Sequence, residues 1–369
     1  MFPTLKRAVL PVGITAAVAA TVGLGPSLLA DTRPELPRVS PEQLIAKVRQ
    51  ANVDGMSGTV RATSDLGLPE LPSGSAGAAP LDLLSGTHTL RVAYASPHKA
   101  HVAVLDEMAQ RTFVRNGRDA YAYDSANKKV THWRLPAATE GRQPDHRPSG
   151  AATLTPRQFA QRVLDKVEPT TKVSVAGTQQ VAGRDAYTLR LAPRSTESLV
   201  GAVSIGVDAK TGMPLRVAVA PRGGGEPAID VSFTDVSFDK PKAQRFEFTP
   251  PPGATVEQRE VPRPGSDSAD AKKHRNHRVI GDGWTSVLEL RDVPLPTKGK
   301  QEGRQGQDGS RDGQQLVTTL LQAAEPVSGP YGQGRLLSTR LVSVLLTDDG
   351  RLYAGAVTPE ALQQAAASS

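Results

Sequence analysis

The sequence contains no cysteine. That excludes a disulfide-stapled scaffold, a thiolate-ligated zinc or iron–sulfur site, a thiol nucleophile and a lipidated N-terminal cysteine. Aromatic residues are scarce at 4% (2 Trp, 6 Tyr, 7 Phe), too few for an aromatic-walled cofactor site. Neither sign of charge dominates: 44 Lys and Arg against 37 Asp and Glu leave +7 over 369 residues. Basic charge spread this thinly favours solubility and contact with anionic surfaces. It is not interleaved with aromatics as single-stranded nucleic acid requires, so nucleic acid is not an expected partner.

One long uncharged run is present. Lys6 and Arg7 precede Ala8 to Ala30, and Asp31 and Arg33 close it. The run is long enough to cross a bilayer, although Pro11 and Pro26 interrupt it. Two readings stand: a signal peptide cut after Ala30, with Leu28 a poor residue for that site, or an uncleaved membrane anchor. Both place the rest of the chain outside the cytoplasm, in the cell envelope, because the positive flank stays inside. An exported protein without disulfides must be held by its core.

After a Pro-rich spacer, Ser40-Pro41-Glu42-Gln43 reads as a capped helix start, with Leu44 and Val48 on one apolar stripe. A strand follows at Gly58–Thr63, then a flexible insertion over 65–86 rich in Gly, Pro and Ala. From Thr87 the pattern is β: Thr87–Ala95, His101–Leu105, Arg111–Val114, Asp119–Tyr123 and Lys129–Leu135, with Asn116-Gly117 as a hairpin turn. Thr155-Pro156-Arg157-Gln158 repeats the capping signature ahead of a second helix. A second β run covers Val173–Gln179, Ala186–Leu191, Val200–Asp208, Leu215–Ala220 and Ile229–Phe238. This predicts an α+β fold in which one large curved antiparallel sheet packs on helices. The expected organisation is a leader over 1–30 and a main domain over 40–257. A largely flexible linker follows over 258–314, with a short strand at 284–290. Residues 315–367 form a small C-terminal α/β segment, read as helix, hairpin at Asp348-Asp349-Gly350, and helix.

No motif carries catalytic chemistry. His274-x-x-His277 has metal-like spacing, but four cations surround it, so it reads as a solvated basic linker and no metal is expected. Gly223-Gly224-Gly225 and Gly332-Gln333-Gly334 lack the Lys and Ser/Thr of a phosphate loop. No Gly-x-Ser-x-Gly elbow is present. The chain is expected to be no enzyme and to need no cofactor. A curved sheet with an apolar face can be closed as ordinary core, or it can enclose a ligand cavity.

The closing residues of the second β run carry a resemblance. Val236-Ser237-Phe238-Asp239 and the stretch from Arg245-Phe246-Glu247-Phe248-Thr249 through Pro250-Pro251-Pro252 to Val256 resemble the closing strand of the LolA-like lipoprotein-carrier superfamily. That superfamily includes the LppX/LprG-type lipid carriers and the RseB-type envelope sensors. Gly183–Leu191 and Val207–Leu215 resemble its middle strands. The likeness implies a half-open, strongly bent antiparallel sheet closed by helices, an incomplete barrel. Its cavity would take acyl chains of lipids or lipoproteins. It also implies a carrier or sensor role, with a membrane transporter or an anti-sigma factor as protein partner. Without a lipobox cysteine the chain is not itself a lipoprotein.

Alternation proposes cavity-facing residues. From the first β run these are Leu90, Val92, Tyr94, Val102, Val104, Tyr121 and Tyr123. From the second they are Leu189, Val203, Ile205, Val217 and Phe233. The alternative, that they meet the helices as core, stands equally, since a one-residue slip inverts a strand.

Overall fold

Ser40 caps α1 (Pro41–Gln50): its hydroxyl accepts from the Gln43 N–H at 3.2 Å, and the Gln43 side chain accepts from the Ser40 N–H at 2.9 Å. The box satisfies two donors that a helix start leaves free. Leu44 and Val48, four residues apart, form the buried stripe. The structure is a computed structural model that describes residues 34–68, 85–96, 98–105, 109–135, 170–260, 277–293 and 322–369. The leader, most of the insertion, the helix expected from Thr155 and the start of the helix expected at the beginning of the 315–367 segment lie outside the described residues.

Two meanders build the main sheet. The first is β1 (Met56–Asp65), β2 (Ser85–Ser96), β3 (Lys99–Leu105), β4 (Gln110–Asn116), β5 (Asp119–Asp124) and β6 (Lys129–Arg134). The second is β7 (Thr171–Val181), β8 (Arg184–Pro193), β9 (Val200–Asp208), β10 (Pro214–Pro221) and β11 (Ile229–Ser237). β1 pairs antiparallel with β11 and joins them. The 12-stranded order is β12-β6-β5-β4-β3-β2-β1-β11-β10-β9-β8-β7, where β12 is Thr255–Glu260. Among the described residues both ends of this order are unpaired, and the sheet is not closed into a barrel. β7 nonetheless touches β11, so this end of the sheet curls back on itself.

Three expectations are corrected. The pairing is not wholly antiparallel, because β12 runs parallel to β6. Residues 245–256 are not one closing strand either. Ala243–Phe246 is a 3-10 turn, and the strand starts only at Thr255. Pro250, Pro251 and Pro252 have no N–H to offer a ladder, which delays pairing until they are past. The hairpin loop between β4 and β5 is Gly117-Arg118, closed by the Asn116–Asp119 pair, with Gly117 at φ 65° in the first loop position.

The loop between β9 and β10 is anchored by Asp208, which is buried. Its carboxylate accepts from Arg184 Nε (2.6 Å), the Thr211 N–H (2.6 Å) and the Thr211 hydroxyl (2.8 Å). Burial alone would raise its pKa, but these donors hold it below the usual carboxylate value. The loop docks on α1: Lys47 Nζ donates to the Ala209 carbonyl.

The C-terminal residues form a second sheet, more extensive than helix, hairpin and helix. Its strands are β13 (His277–Ile280), β14 (Val287–Leu290), β15 (Glu325–Gly329), β16 (Gly332–Ser338), β17 (Ser343–Thr347) and β18 (Leu352–Gly355). The order is β13-β14-β18-β17-β16-β15. The Asp348-Asp349-Gly350 turn joins β17 and β18, as the sequence predicts. The 284–290 stretch is a 3-10 turn at Gly283–Thr285 followed by β14, paired on both sides. α2 (Pro359–Ala367), capped by Thr358, packs Leu362 and Ala366 on Val287, Leu345 and Tyr353.

This sheet docks on the rim of the first. The Leu199 N–H donates to the Ala356 carbonyl (2.9 Å) and the Thr358 N–H to the Glu197 carbonyl (2.7 Å). Trp284 Nε1 donates to the Thr171 hydroxyl (2.7 Å), and Leu341 joins the core around Leu191. Arg340 reaches the Asp65 carboxylate and the carbonyls of Asp65 and Glu226. Among the described residues no helix is long and apolar enough to cross a membrane.

Candidate functional site: an apolar sheet face

Residues directly opposite across strands share a face, so the register assigns every side chain. Val92 stands opposite Gly58 and Val102; Val102 opposite Phe113; Phe113 opposite Ala122. In the other direction Leu90 stands opposite Val60, and Val60 opposite Phe233. Further along, Val231 stands opposite Val217, Val217 opposite Ile205, and Ile205 opposite Leu189. Leu90, Val92, Tyr94, Val102, Val104, Leu189, Val203, Ile205, Val217 and Phe233 therefore lie on one face.

Tyr121 and Tyr123 do not. They stand opposite Val114 and Thr112, on the other side of the sheet. There Tyr121 stacks on His132 at 4.4 Å and 7°, and Phe248 tilts against it at 5.1 Å. Alternation names two faces of a strand but does not say which face is which. On β5 that choice depends on loop length: the two-residue loop Gly117-Arg118 puts Phe113 opposite Ala122, whereas a three-residue loop at 116–118 would put it opposite Tyr121. Phe113, Trp133 and Tyr187, which stands opposite Val207, are aromatic residues of the shared face that sequence reading missed. Trp133 stands opposite Ala120, which stands opposite Arg115 and thence Ala100 and Tyr94.

Burial divides this face in two. Leu189, Ile205 and Val217 are 0% exposed, in one cluster with Leu44 and Val48 of α1. Here the chain fills the face with its own helix. Leu90, Val92, Val104 and Phe233 are also buried, in a second cluster with Met56 and Leu215. Toward β6 the described residues leave this face less covered. Tyr94, Val102, Phe113, Ala122 and Trp133 are all only half-buried. Such a wall can take a methylene chain out of water without any reacting group. Among the described residues no group of three or more His, Asp or Glu is placed to hold a metal.

The opposite face of β2–β4 is sealed by the turn after β11. Phe246 is fully buried against Ala93 and Ala95. His101, beside it, has a depressed pKa, because burial and then the neighbouring Arg245 charge both disfavour its cation. The folded value lies below the unfolded one, so this stability is present above the usual imidazole range and is lost as pH falls through and below it. Denaturation midpoints should therefore drop between about pH 7 and pH 5, and His101→Gln should flatten that drop. An equal drop in both proteins would remove His101 as the cause.

No family model matches the chain, and no curated protein does. Among solved structures it is similar to a chain of the MucA/MucB complex of Pseudomonas aeruginosa. The two are 14% identical over 88% of this chain and 96% of that one, with a TM-score of 0.42. A LolA superfamily protein from Nitrosomonas europaea is 10% identical over 57% of this chain and 99% of that one, TM-score 0.21. A DUF1329 family protein from Desulfovibrio piger is 10% identical over 56% and 95%, TM-score 0.24.

Proposed function

We propose that the protein binds acyl chains of lipids or lipoproteins outside the cytoplasm, without catalysis, on the apolar face of the 12-stranded sheet. One observation carries this reading. The face that α1 closes over β8–β10 continues toward β6 as a half-open wall of Tyr94, Val102, Phe113 and Trp133, with the half-buried Arg115 set among them. Each buried methylene contributes roughly 0.8 kcal/mol, so ten of them give about 8 kcal/mol before the cost of association. No polar anchor is required.

Native mass spectrometry of the gently extracted full chain should show adducts of lipid mass, and a fluorescent fatty acid should be taken up saturably. Val102→Lys should weaken that uptake at least tenfold with the circular dichroism unchanged, since an unpaired ammonium on the wall resists burial. A clean apo mass together with no uptake would sink the proposal.

A second reading is a regulatory module that docks on a membrane protein, an anti-sigma factor or a transporter. The observation favouring it is the second sheet, latched to the rim of the first through Arg340. Pull-down from membranes with the full chain and with Arg340→Ala should recover one partner with different yields. Recovery of no partner by either counts against it.

A further inference from the structure

The polar side of the sheet carries a cleft that the acyl reading does not use. It encloses about 440 Å³ between β1, β10, β11 and the end of β7. Arg61 and Thr63 supply one wall, Ser232 and Thr234 the floor, and Gln179 and Gln180 the overhang. The overhang exists because the β7–β8 hairpin curls back until β7 touches β11. Register confirms the side: Arg61 stands opposite Ser232, and Ser232 opposite Arg216. These residues alternate with Val60, Val231 and Val217 of the apolar face.

Two arginines of this region are in different states. Arg216 is fully engaged: Nε donates to Asp230 Oδ1 (3.0 Å), Nη2 to Oδ2 (2.5 Å) and Nη1 to Gln179 Oε1 (3.4 Å). It fixes the back of the cleft and spends its charge on Asp230. Arg61 is exposed, and its guanidinium has no acceptor among the described residues. Arg91 is its diagonal neighbour on the same face, since Arg61 stands opposite Thr89 and Arg91 opposite Thr59. Arg91 likewise has no acceptor among the described residues. Asp235, on the same face opposite Thr59, is solvent-exposed, which screens its field. The cleft thus presents a free planar fork of donors at one end and hydroxyls with a side-chain amide beside it. A guanidinium fork matches an oxyanion bidentately. Thr63 is paired with the Thr87 hydroxyl, Ser232 donates to the Phe233 carbonyl and Gln180 donates to Asp185, and each keeps an oxygen lone pair that can accept from a ligand hydroxyl.

We infer that this cleft binds a small polar ligand through a carboxylate or phosphate group placed on Arg61, with hydroxyls of the ligand body meeting Thr63, Ser232 and Gln180. The ligand is either a free solute or the headgroup of an anionic lipid. The site opens on the opposite face from the acyl wall, with Phe233 of the apolar face also at its lining.

The test uses the full chain, titrated by NMR with inorganic phosphate, glycerol phosphate and glucose, and by sedimentation with phosphatidylglycerol vesicles. Phosphate and glycerol phosphate should bind saturably and glucose should not. Arg61→Gln should weaken both anions at least tenfold, whereas Arg118→Gln, an exposed arginine away from the cleft, should not. Vesicle binding that is lost in Arg61→Gln and is stronger than glycerol phosphate binding identifies a lipid headgroup. The reverse order identifies a free solute. Absence of saturable anion binding in the native chain, or equal weakening by Arg61→Gln and Arg118→Gln, overturns the site. Fatty-acid uptake should be unchanged in Arg61→Gln, so failure of either proposal is read separately.

Discussion

Phe246→Ala should destabilise the main sheet by about 3–5 kcal/mol, the range for removing a fully buried Phe side chain. Phe246 is the one large side chain of its cluster, and its remaining members are Ala93 and Ala95. Two alanines cannot move inward to fill the space a phenyl ring leaves. The cavity term should therefore appear almost in full. Position adds to the effect. The 3-10 turn Ala243–Phe246 packs on β3 and β4 and precedes the three prolines that deliver the chain to β12. Loosening it exposes Ala93, Ala95 and His101 together and slackens the approach to the β12–β6 pair. Phe246→Leu should lose much less. Chemical denaturation measures both. A loss under about 1 kcal/mol for the alanine variant would show that the cover can be dispensed with.

Arg340→Ala should cost about 1–3 kcal/mol, and locally rather than globally. The Arg340–Asp65 pair is largely exposed on the acidic side, with Asp65 at 68%, so the charge attraction itself is worth little. The carbonyls of Asp65 and Glu226 matter more, because they lose a charged donor at a junction between sheets. Hydrogen exchange should therefore accelerate at the N–H groups of Leu199, Arg340 and Thr358, which bridge the two sheets. Exchange at Leu189 and Ile205, deep under α1, should not change. Uniform acceleration across both sheets would mean that they unfold as one body and that Arg340 is no latch.

How much was legible in the sequence varies by element, for physical reasons. The first helix was legible because its capping signature, Ser40 with Gln43, is chemistry written locally. The strands were legible where β-branched and apolar residues alternate, as in Val200–Asp208, predicted with the bounds the structure shows. The β15–β16 hairpin was not, because Glu325–Gly329 and Gly332–Ser338 are rich in Gly and Pro, residues that weaken strand propensity. Its pairing comes from its neighbour β17, which no local pattern reveals. The site was half legible. Alternation found Val102 but could not tell Phe113 from Tyr121, since the face β5 shares with β3 turns on whether the loops between them hold an odd or an even number of residues. The split between filled and half-open wall depends on where α1 lies, and nothing in the strands encodes that.

The junction of β1 with β11 has a kinetic consequence. Within each meander, strands pair with sequence neighbours, so β2–β6 and β7–β11 can each zip from a hairpin at small loop-closure cost. Thr59 and Asp235 are ladder partners across most of the main domain, and β12 must likewise return to β6. These two ladders raise the contact order and place the search for one long-range seam between two preformed halves at the rate-limiting step. Until that seam closes, the β1 edge of one half and the β11 edge of the other stand unpaired, each a template for the wrong strand. Refolding yield should therefore fall with protein concentration more steeply than the stability of the finished sheet suggests.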